Sequence, residues 1–345
     1  MASACQRTGS SLKMMTGRPE TNGNAIEIRD LRVDYGDFVA VNDLSLTIPY
    51  GEVYGLVGPN GAGKTSTFRV LATLMEPTYG EVSLAGIDAL EDKESARRIM
   101  GYMPDLAPVP SDLKVREFLD FYTHTYALGT RNECRSRAEE CLEIVSLTDQ
   151  RNSWCRELSR GQTQRLVLAK TLLPSPRVMI LDEPASGLDP LSRRELRLSL
   201  QAIAREGATV FVSSHILSEL AEMCSSLCVM NQGQILASGT ATEVRNQLGR
   251  AERQITVTVL GPRDKIASWL ARQHGVLEVT KSEQHDQRVI LRFTGGDHEQ
   301  AALLSGILEQ GVAVKSFDEK GASFEEILVK IAEDNRRQDE SPDET

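Results

Sequence analysis

Long apolar segments are missing from this sequence. A helix that spans a bilayer needs about 20 predominantly apolar residues, and polar or charged residues interrupt every apolar run of the chain well before that length. Residues 1–24 are polar and lack the apolar stretch of a secretory signal. We therefore expect a chain that does not itself span a membrane, with a disordered tail over residues 1–24.

Positive charge is also scarce. The 39 Lys and Arg residues are outnumbered by 49 Asp and Glu, which gives a formal net charge of -10. Proteins that bind nucleic acid non-specifically rely on basic residues against the phosphates, so we expect no nucleic-acid partner. Residues 333–345 hold six acids and two bases, and we expect a solvated acidic tail there.

Paired cysteine motifs are absent. The six cysteines include no Cys-x-x-Cys pair and no Cys/His cluster with the spacing of a zinc site. Scattered cysteines of this kind are typical of reduced thiols rather than of a disulfide framework. The sequence therefore favours neither a secreted disulfide-rich fold nor a zinc domain.

A glycine-rich loop is the strongest motif that is present. It fits the pattern Gly-x-x-x-x-Gly-Lys-Thr, with an apolar strand predicted before it at 53–57 and a helix after it at 65–75. Backbone N–H groups of such a loop bind phosphates at a helix N-terminus, the lysine reaches the β- and γ-phosphates, and the threonine hydroxyl holds Mg²⁺. The predicted ATP contacts are Gly58, Pro59, Asn60, Gly61, Ala62, Gly63, Lys64, Thr65 and the adjacent Ser66.

An acid pair ends a second apolar strand. Asp182 and Glu183 follow the buried-strand pattern at 177–181, and acids at the carboxyl end of a parallel strand point into the crevice above the sheet. We predict that Asp182 ligates Mg²⁺ and that Glu183 accepts a proton from the attacking water. The alternative is a pair of acids in an ordinary turn between a strand and a helix.

Further motifs resemble those of ABC-type ATPases over about residues 25–248. The run Leu158-Ser159-Arg160-Gly161-Gln162 resembles the family signature Leu-Ser-Gly-Gly-Gln, with Arg160 in place of a glycine. Ser186-Gly187-Leu188-Asp189 resembles the D-loop, His215 resembles the switch histidine, and Tyr35 resembles the aromatic on which adenine stacks.

The resemblance implies roles for these residues. Tyr35 would contact adenine, and His215 would couple the base Glu183 to the γ-phosphate. Ser159 and Gly161 would contact the γ-phosphate held by the opposite subunit of a head-to-tail homodimer that encloses two ATP molecules. Gln162 and Asp189 are also expected to contact nucleotide. The family also pairs with an integral membrane permease subunit, so we expect a peripheral location on the cytoplasmic face of the plasma membrane.

One position departs from the family pattern. In Gly101-Tyr102-Met103-Pro104-Asp105, the family usually has glutamine where this chain has Asp105. A carboxylate can still contact Mg²⁺ or the waters around it, but an ionised carboxylate cannot donate a hydrogen bond. We therefore predict a metal contact for Asp105 and no donor role in positioning water.

The fold class expected is α/β. Alternating strand and helix signals predict a P-loop NTPase core of ABC type over 25–248, with a parallel sheet, an antiparallel β layer and a helical subdomain at about 105–172. Residues 249–332 follow the order βαββαβ, with a further helix at 324–332, which predicts a small α+β ferredoxin-like C-terminal domain. Its default interpretation is a regulatory or dimerisation appendage.

The function predicted is that of an ATP-hydrolysing subunit of an ABC transporter, which dimerises on ATP and drives export through a separate membrane subunit. The alternative from another class is a soluble ABC ATPase that acts on ribosomes or nucleic acid. Such proteins usually carry two cassettes or a long coiled-coil insertion, and this sequence has one cassette and no long heptad tract. A non-catalytic regulatory subunit is a third alternative, disfavoured by the presence of both Glu183 and His215.

Overall fold

The computed structural model describes residues 23–248, 253–261, 263–281 and 287–320. The predicted helix at 324–332, the acidic tail and nearly all of the predicted N-terminal tail lie outside these residues. The strands are β1 (Asn24–Tyr35), β2 (Phe38–Pro49), β3 (Val53–Val57), β4 (Tyr79–Leu84), β5 (Ile87–Asp88), β6 (Met100–Met103), β7 (Val178–Leu181), β8 (Thr209–Ser214), β9 (Ser226–Asn231), β10 (Gln234–Gly239), β11 (Arg253–Val259), β12 (Val276–Lys281), β13 (Arg288–Phe293) and β14 (Val314–Lys320).

The helices alternate with these strands. They are α1 (Lys64–Leu71), α2 (Lys93–Ile99), α3 (Val115–Thr125), α4 (Arg131–Ile144), α5 (Arg160–Leu172), α6 (Pro190–Arg205), α7 (Leu217–Met223), α8 (Ala241–Leu248), α9 (Arg263–Leu270) and α10 (Asp297–Glu309). Within the part of the chain that the structure describes, no helix has both the length and the apolar character needed to cross a bilayer.

A six-stranded sheet of order β10-β9-β3-β8-β7-β6 forms the centre of the first unit. The strands from β9 to β6 pair in parallel, and β10 joins the edge antiparallel to β9. Every residue of β3, β7 and β8 is buried, as expected of parallel strands covered on both faces. Because these strands are parallel, the segments that leave β3, β7 and β8 emerge at one edge of the sheet.

A second, antiparallel sheet has the order β2-β1-β4-β5. Its strands alternate buried and exposed residues in part, most regularly at the end of β2, which is typical of a sheet with one face on the core. Helix α1 packs between the layers, where Phe68 lies 4.8 Å from Phe211 between ring centroids. The predicted combination of a parallel sheet with an antiparallel β layer is confirmed.

Helices α3, α4 and α5 account for the segment between β6 and β7. Two of these helices begin at capping boxes. Thr130 caps α4 and Ser159 caps α5 with a side-chain hydroxyl. In return, the side chains of Glu133 and Gln162 accept the N–H groups of the capping residues. Helix α3 presents Val115, Phe118 and Leu119 to the interior. This helical segment delivers residues 159–162 to the start of α5.

The described chain divides into two compact units between Thr240 and Ala241. This division lies eight residues before the predicted one, so α8 belongs to the second unit. In that unit the sheet order is β12-β13-β11-β14 with antiparallel pairing throughout. Two helices cross between strands in the order βαββαβ, which is the predicted ferredoxin-like topology. Its core is formed by alternate residues of β11 and β13 with apolar residues of α9 and α10.

Candidate ATP site

The glycine-rich loop connects β3 to α1, as the sequence predicted. Lys64 opens α1, and its Nζ donates to the carbonyl oxygens of Gly58 at 2.7 Å and Pro59 at 3.2 Å. Burial lowers the pKa of Lys64, and the charges of Glu183 and Asp182 oppose that shift. The ammonium group therefore lies over the loop that it closes, 3.5 Å from the Glu183 carboxylate.

Two glycines of the loop allow its close approach to neighbouring strands. A Cβ on Gly58 would lie 2.2 Å from the carbonyl oxygen of Met230, and one on Gly63 would lie 2.3 Å from that of Ala40. Gly63 also has φ of 104°, a region that other residues rarely adopt. The loop thus requires glycine for packing as well as for its backbone conformation.

The acid pair leaves the end of β7, and Ser213 of the adjacent strand β8 connects its two members. The Ser213 hydroxyl donates to Asp182 Oδ1 at 2.6 Å and accepts the Glu183 N–H at 2.9 Å. Asp182 and Ser213 are buried. Glu183 has a positive φ of 49°, which turns the chain sharply so that its carboxylate lies 3.5 Å from Lys64 Nζ.

His215 completes this cluster from the segment after β8. Its Nδ1 lies 2.7 Å from Glu183 Oε2. The same carboxylate therefore contacts Lys64 through Oε1 and His215 through Oε2. A carboxylate held at both oxygens has a defined orientation, which is what a general base requires.

A cavity of about 390 Å³ opens above the loop. It brings together residues from separate parts of the chain: Tyr35, Phe38, Ala40, Asn60, Gly61, Ala62, Gly63, Lys64, Thr65, Ser66, Asp105, Glu183, Ser186 and His215. Among the predicted residues of the phosphate loop and the acid pair, Gly58, Pro59 and Asp182 do not line this cavity. Gly58 and Pro59 accept hydrogen bonds from Lys64, and Asp182 accepts one from Ser213.

Two exposed aromatic residues form one wall of the cavity. Tyr35, predicted as the adenine contact, has its hydroxyl 3.3 Å from Ser66 Oγ and from Met75 Sδ. Phe38 pairs with Tyr35 across the hairpin between β1 and β2 and is 61% exposed. Phe38 was not among the residues predicted for the site. The pattern that could have indicated it is a pair of aromatic residues, Tyr35 and Phe38, on either side of a two-residue turn.

Asp105 contributes a third carboxylate near the acid pair. Burial raises the pKa of Asp105, and the charges of Asp182 and Glu183 raise it further, against the opposing charges of Arg160 and His215. Mg²⁺ in nucleotide sites is usually bound through one or two carboxylates together with substrate phosphates. The two carboxylates of Asp105 and Asp182 and the hydroxyl of Thr65 are oxygen donors, and their chemistry fits Mg²⁺ beside a phosphate.

The signature segment and Asp189 lie outside this cavity. Ser159 Oγ accepts the Gln162 N–H at 3.2 Å, and Gln162 Oε1 accepts the Ser159 N–H at 2.9 Å. Gly161 packs so tightly that a Cβ there would lie 2.4 Å from Ser192 Oγ. Asp189 caps α6 by accepting the N–H groups of the next turn. Within one copy these four residues stabilise helix starts and do not meet the phosphate loop.

Arg160, the departure from the signature pattern, lies against the D-loop of the same chain. A Cβ on Gly187 would lie 2.4 Å from Cζ of Arg160, so the guanidinium packs directly on that glycine. Gly187 has φ of 67°. No sequence signal pointed to this contact, because 27 residues separate the two positions.

Known proteins match both units of the chain. Residues 41–186 match the family model described as ABC transporter, and residues 239–332 match the C-terminal domain of DrrA1-3-like ATP-binding proteins. A model of an AAA domain also matches residues 155–221. The probable multidrug ABC transporter ATP-binding protein YbhF of Escherichia coli is 36% identical over 71% of this chain, and that alignment spans only 42% of YbhF.

Two further relatives are matched along nearly their whole length. The daunorubicin resistance ATP-binding protein DrrA3 of Streptomyces coeruleorubidus is 30% identical over 91% of this chain and 97% of its own length. The uncharacterized ABC transporter ATP-binding protein YxlF of Bacillus subtilis is 31% identical over 89% of this chain and 99% of its own length.

Solved structures agree with this assignment. An ATP-binding subunit of an ABC transporter aligns with a TM-score of 0.58 at 30% identity, over 65% of this chain and 93% of that one. The dimeric structure of a bacterial ABC transporter cassette aligns with a TM-score of 0.57 at 26% identity, over 63% of this chain and 98% of that one. The chain therefore belongs to the ATP-binding subunits of ABC transporters, a family of ATPases, in the subclass with a DrrA-like C-terminal domain.

Proposed function

We propose that this chain hydrolyses ATP in the cavity above residues 58–66 and thereby drives export through a separate integral membrane permease. The observation that carries the proposal is the Glu183 carboxylate, which lies between Lys64 and His215 at the mouth of the phosphate loop. The relatives named for multidrug transport and for daunorubicin resistance support export as the direction.

The charged and polar groups at the site and the aromatic Tyr35 have distinct roles in this proposal. Lys64 and the loop amides bind the β- and γ-phosphates, and Tyr35 stacks on adenine. Glu183 takes the proton of the attacking water, while His215 holds the carboxylate in place. Mg²⁺, when bound by Thr65, Asp182 and Asp105 together with the phosphates, supplies positive charge at the oxygens on which negative charge develops.

A homodimer is part of the same proposal. Ser159, Gly161, Gln162 and Asp189 lie outside the cavity of their own chain. Ser159 caps the N-terminus of α5, and a helix N-terminus favours an anion. These residues would contact the γ-phosphate held by a second copy. ATP would then act as the bridge between two copies, and hydrolysis would release them.

The membrane permease would dock on the helical side of the first unit. Four large apolar residues are exposed around this region, namely Leu74, Leu106, Phe121 and Tyr126. Leu74 and Tyr126 also line a cavity of about 550 Å³ beside the start of β6. Exposed apolar side chains around a concavity are typical of protein-interaction sites. We propose a peripheral location on the cytoplasmic face of the plasma membrane, with the permease contacting this surface.

The test of hydrolysis is Glu183→Gln in the full chain. The amide keeps the shape of the side chain but cannot take a proton, so turnover is expected to fall about 100-fold or more, while ATP traps a dimer in gel filtration. Lys64→Ala serves as the contrasting variant, because it should weaken ATP binding and yield no trapped dimer. Full turnover in Glu183→Gln would contradict the role of the base.

The test of the partner is co-purification from native membranes. An integral membrane protein that copurifies with the tagged chain, and that raises its ATPase activity on reconstitution, is the expected result. Co-sedimentation with ribosomes in place of a membrane protein would favour the soluble alternative.

A further inference from the structure

An ion pair lies behind the cluster formed by Glu183 and His215. Arg193 stands in the first turn of α6, and Glu219 stands in α7, four residues after His215. Arg193 Nη2 lies 2.9 Å from Glu219 Oε1, and the Glu219 side chain is only 5% exposed. Neither residue lines the nucleotide cavity, so the pair cannot contact ATP within its own chain.

Both ends of this pair reach segments that carry the proposed chemistry. Arg193 Nη2 also donates to the Leu188 carbonyl at 3.2 Å, within the D-loop. At the other end, the Ser214 hydroxyl donates to Glu219 Oε2 at 3.2 Å and accepts the Ile216 N–H at 3.0 Å. Contacts thus run from the D-loop through Arg193 and Glu219 to the two residues that flank His215.

The same segment also touches the phosphate loop. The Ser214 carbonyl accepts the N–H of Gly58 at 3.4 Å. Burial raises the pKa of Glu219, and the charge of Arg193, the hydrogen bond from Ser214 and the charge of His215 all oppose that shift. Arg193 and Ser214 therefore stabilise the buried carboxylate of Glu219. Removing either member of the ion pair would leave the charge of the other without its counter-charge.

We propose that Arg193 and Glu219 are positioning residues for hydrolysis, which fix the D-loop relative to the end of β8 so that His215 holds Glu183 in its reactive orientation. The inference rests on the proposed roles of Glu183 and His215. Loss of the pair lets the segment around Ser214 shift, and small displacements of a base cost much of the rate. ATP binding is largely retained, because neither Arg193 nor Glu219 lines the cavity that is formed by Lys64 and the loop.

A second ion pair provides a matched control. Arg197 Nη1 lies 2.7 Å from Glu222 Oε2, and these residues join the same two helices, α6 and α7. This outer pair is exposed at Glu222, and none of its hydrogen bonds reaches Leu188 or Ser214. We call Arg193 and Glu219 the inner pair. If the inner pair only joined α6 to α7, substitutions in the two pairs would change the rate of hydrolysis equally.

The experiment measures kcat and KM for ATP in the full chain. Arg193→Met and Glu219→Ala are expected to lower kcat about tenfold or more with KM for ATP changed less than about threefold. Glu219→Gln should recover a large part of kcat, because the amide oxygen can face Arg193 while the amide N–H donates to the Ser214 hydroxyl. Arg197→Met and Glu222→Gln should stay within about twofold of wild type.

Three results would overturn the inference: equal effects of the inner and outer pairs, a loss confined to KM, or Glu219→Gln as inactive as Glu219→Ala. Circular dichroism and melting curves identify variants that fail to fold, and the conservative variants Glu219→Gln and Arg193→Lys then carry the comparison. Failure of the proposed function is a separate outcome, because it would appear as full turnover in Glu183→Gln regardless of the inner pair.

Discussion

Ser213 joins the strand β8 to the acid pair at the end of β7, and Ser213→Ala removes that connection without changing the size of the core greatly. The hydroxyl donates to Asp182 Oδ1 and accepts the Glu183 N–H, and both Ser213 and Asp182 are buried. A hydrogen bond to a charged group contributes about 1.5–3 kcal/mol, and a buried amide left without an acceptor costs about 1–3 kcal/mol. We expect Ser213→Ala to lower the free energy of unfolding by about 3 kcal/mol. The loss stays below the sum of the two upper values, because a water molecule that enters the site can form part of the lost hydrogen bonds.

The assay is thermal and urea unfolding of the full chain, followed by circular dichroism. A loss of about 3 kcal/mol corresponds to a fall in Tm of about 6–12 °C for a unit of this size. Ser225→Ala is the control, because Ser225 also hydrogen-bonds a carboxylate, Glu52, but at an exposed site. Its unfolding free energy should change by less than about 0.5 kcal/mol.

The same variant tests the site. Without the hydroxyl, Asp182 and Glu183 lose the contact that orients both, so Ser213→Ala should hydrolyse ATP more slowly than the Ser225→Ala control. A Ser213→Ala protein with the stability and turnover of wild type would refute the argument that one hydroxyl holds both acids.

Two further predictions concern the cavity. Gly63→Ala places a Cβ 2.3 Å from the Ala40 carbonyl oxygen at a φ of 104°, so it should abolish ATP binding in a nucleotide-affinity assay. A Cβ on Gly61 would have no atom within 4 Å, so Gly61→Ala should lower the affinity for ATP less than Gly63→Ala does. Burial and the neighbouring carboxylates raise the pKa of Asp105 above its ordinary value, so its ionisation costs stability as pH rises through that pKa. Asp105→Asn should therefore raise the Tm of the nucleotide-free protein at about pH 7 and have little effect near pH 4. Asp112 is exposed, so the control variant Asp112→Asn should change the Tm little at either pH. An equal rise of Tm in both variants would contradict the reasoning.

Much of the secondary structure was predictable from local pattern. The strand expected at 53–57 is β3, which spans Val53–Val57, and the buried strand expected at 177–181 is β7, which spans Val178–Leu181. Both are short apolar runs beside strong local motifs, and such runs mark buried strands. The βαββαβ order of the second unit followed for the same reason, and its sheet order confirms the ferredoxin-like prediction.

Other features depend on contacts between distant residues, and no local pattern marks them. Ser213 lies 31 residues from Asp182 in sequence but on the adjacent parallel strand. Arg160 meets Gly187 only because α5 begins beside the turn after β7. The ion pair of Arg193 and Glu219 joins α6 to α7, and 26 residues separate its two members in sequence.

The sequence by itself determined the chemistry that is available: a phosphate loop at 58–65, two acids after an apolar strand, a histidine after another, and the succession of strands and helices. These follow from local rules, since backbone conformation and periodicity act over a few residues. Only the tertiary structure decided that Glu183 is held between Lys64 and His215 and is connected through Ser213 to Asp182. The order of parallel strands sets those distances, and that order comes from packing across the whole sheet.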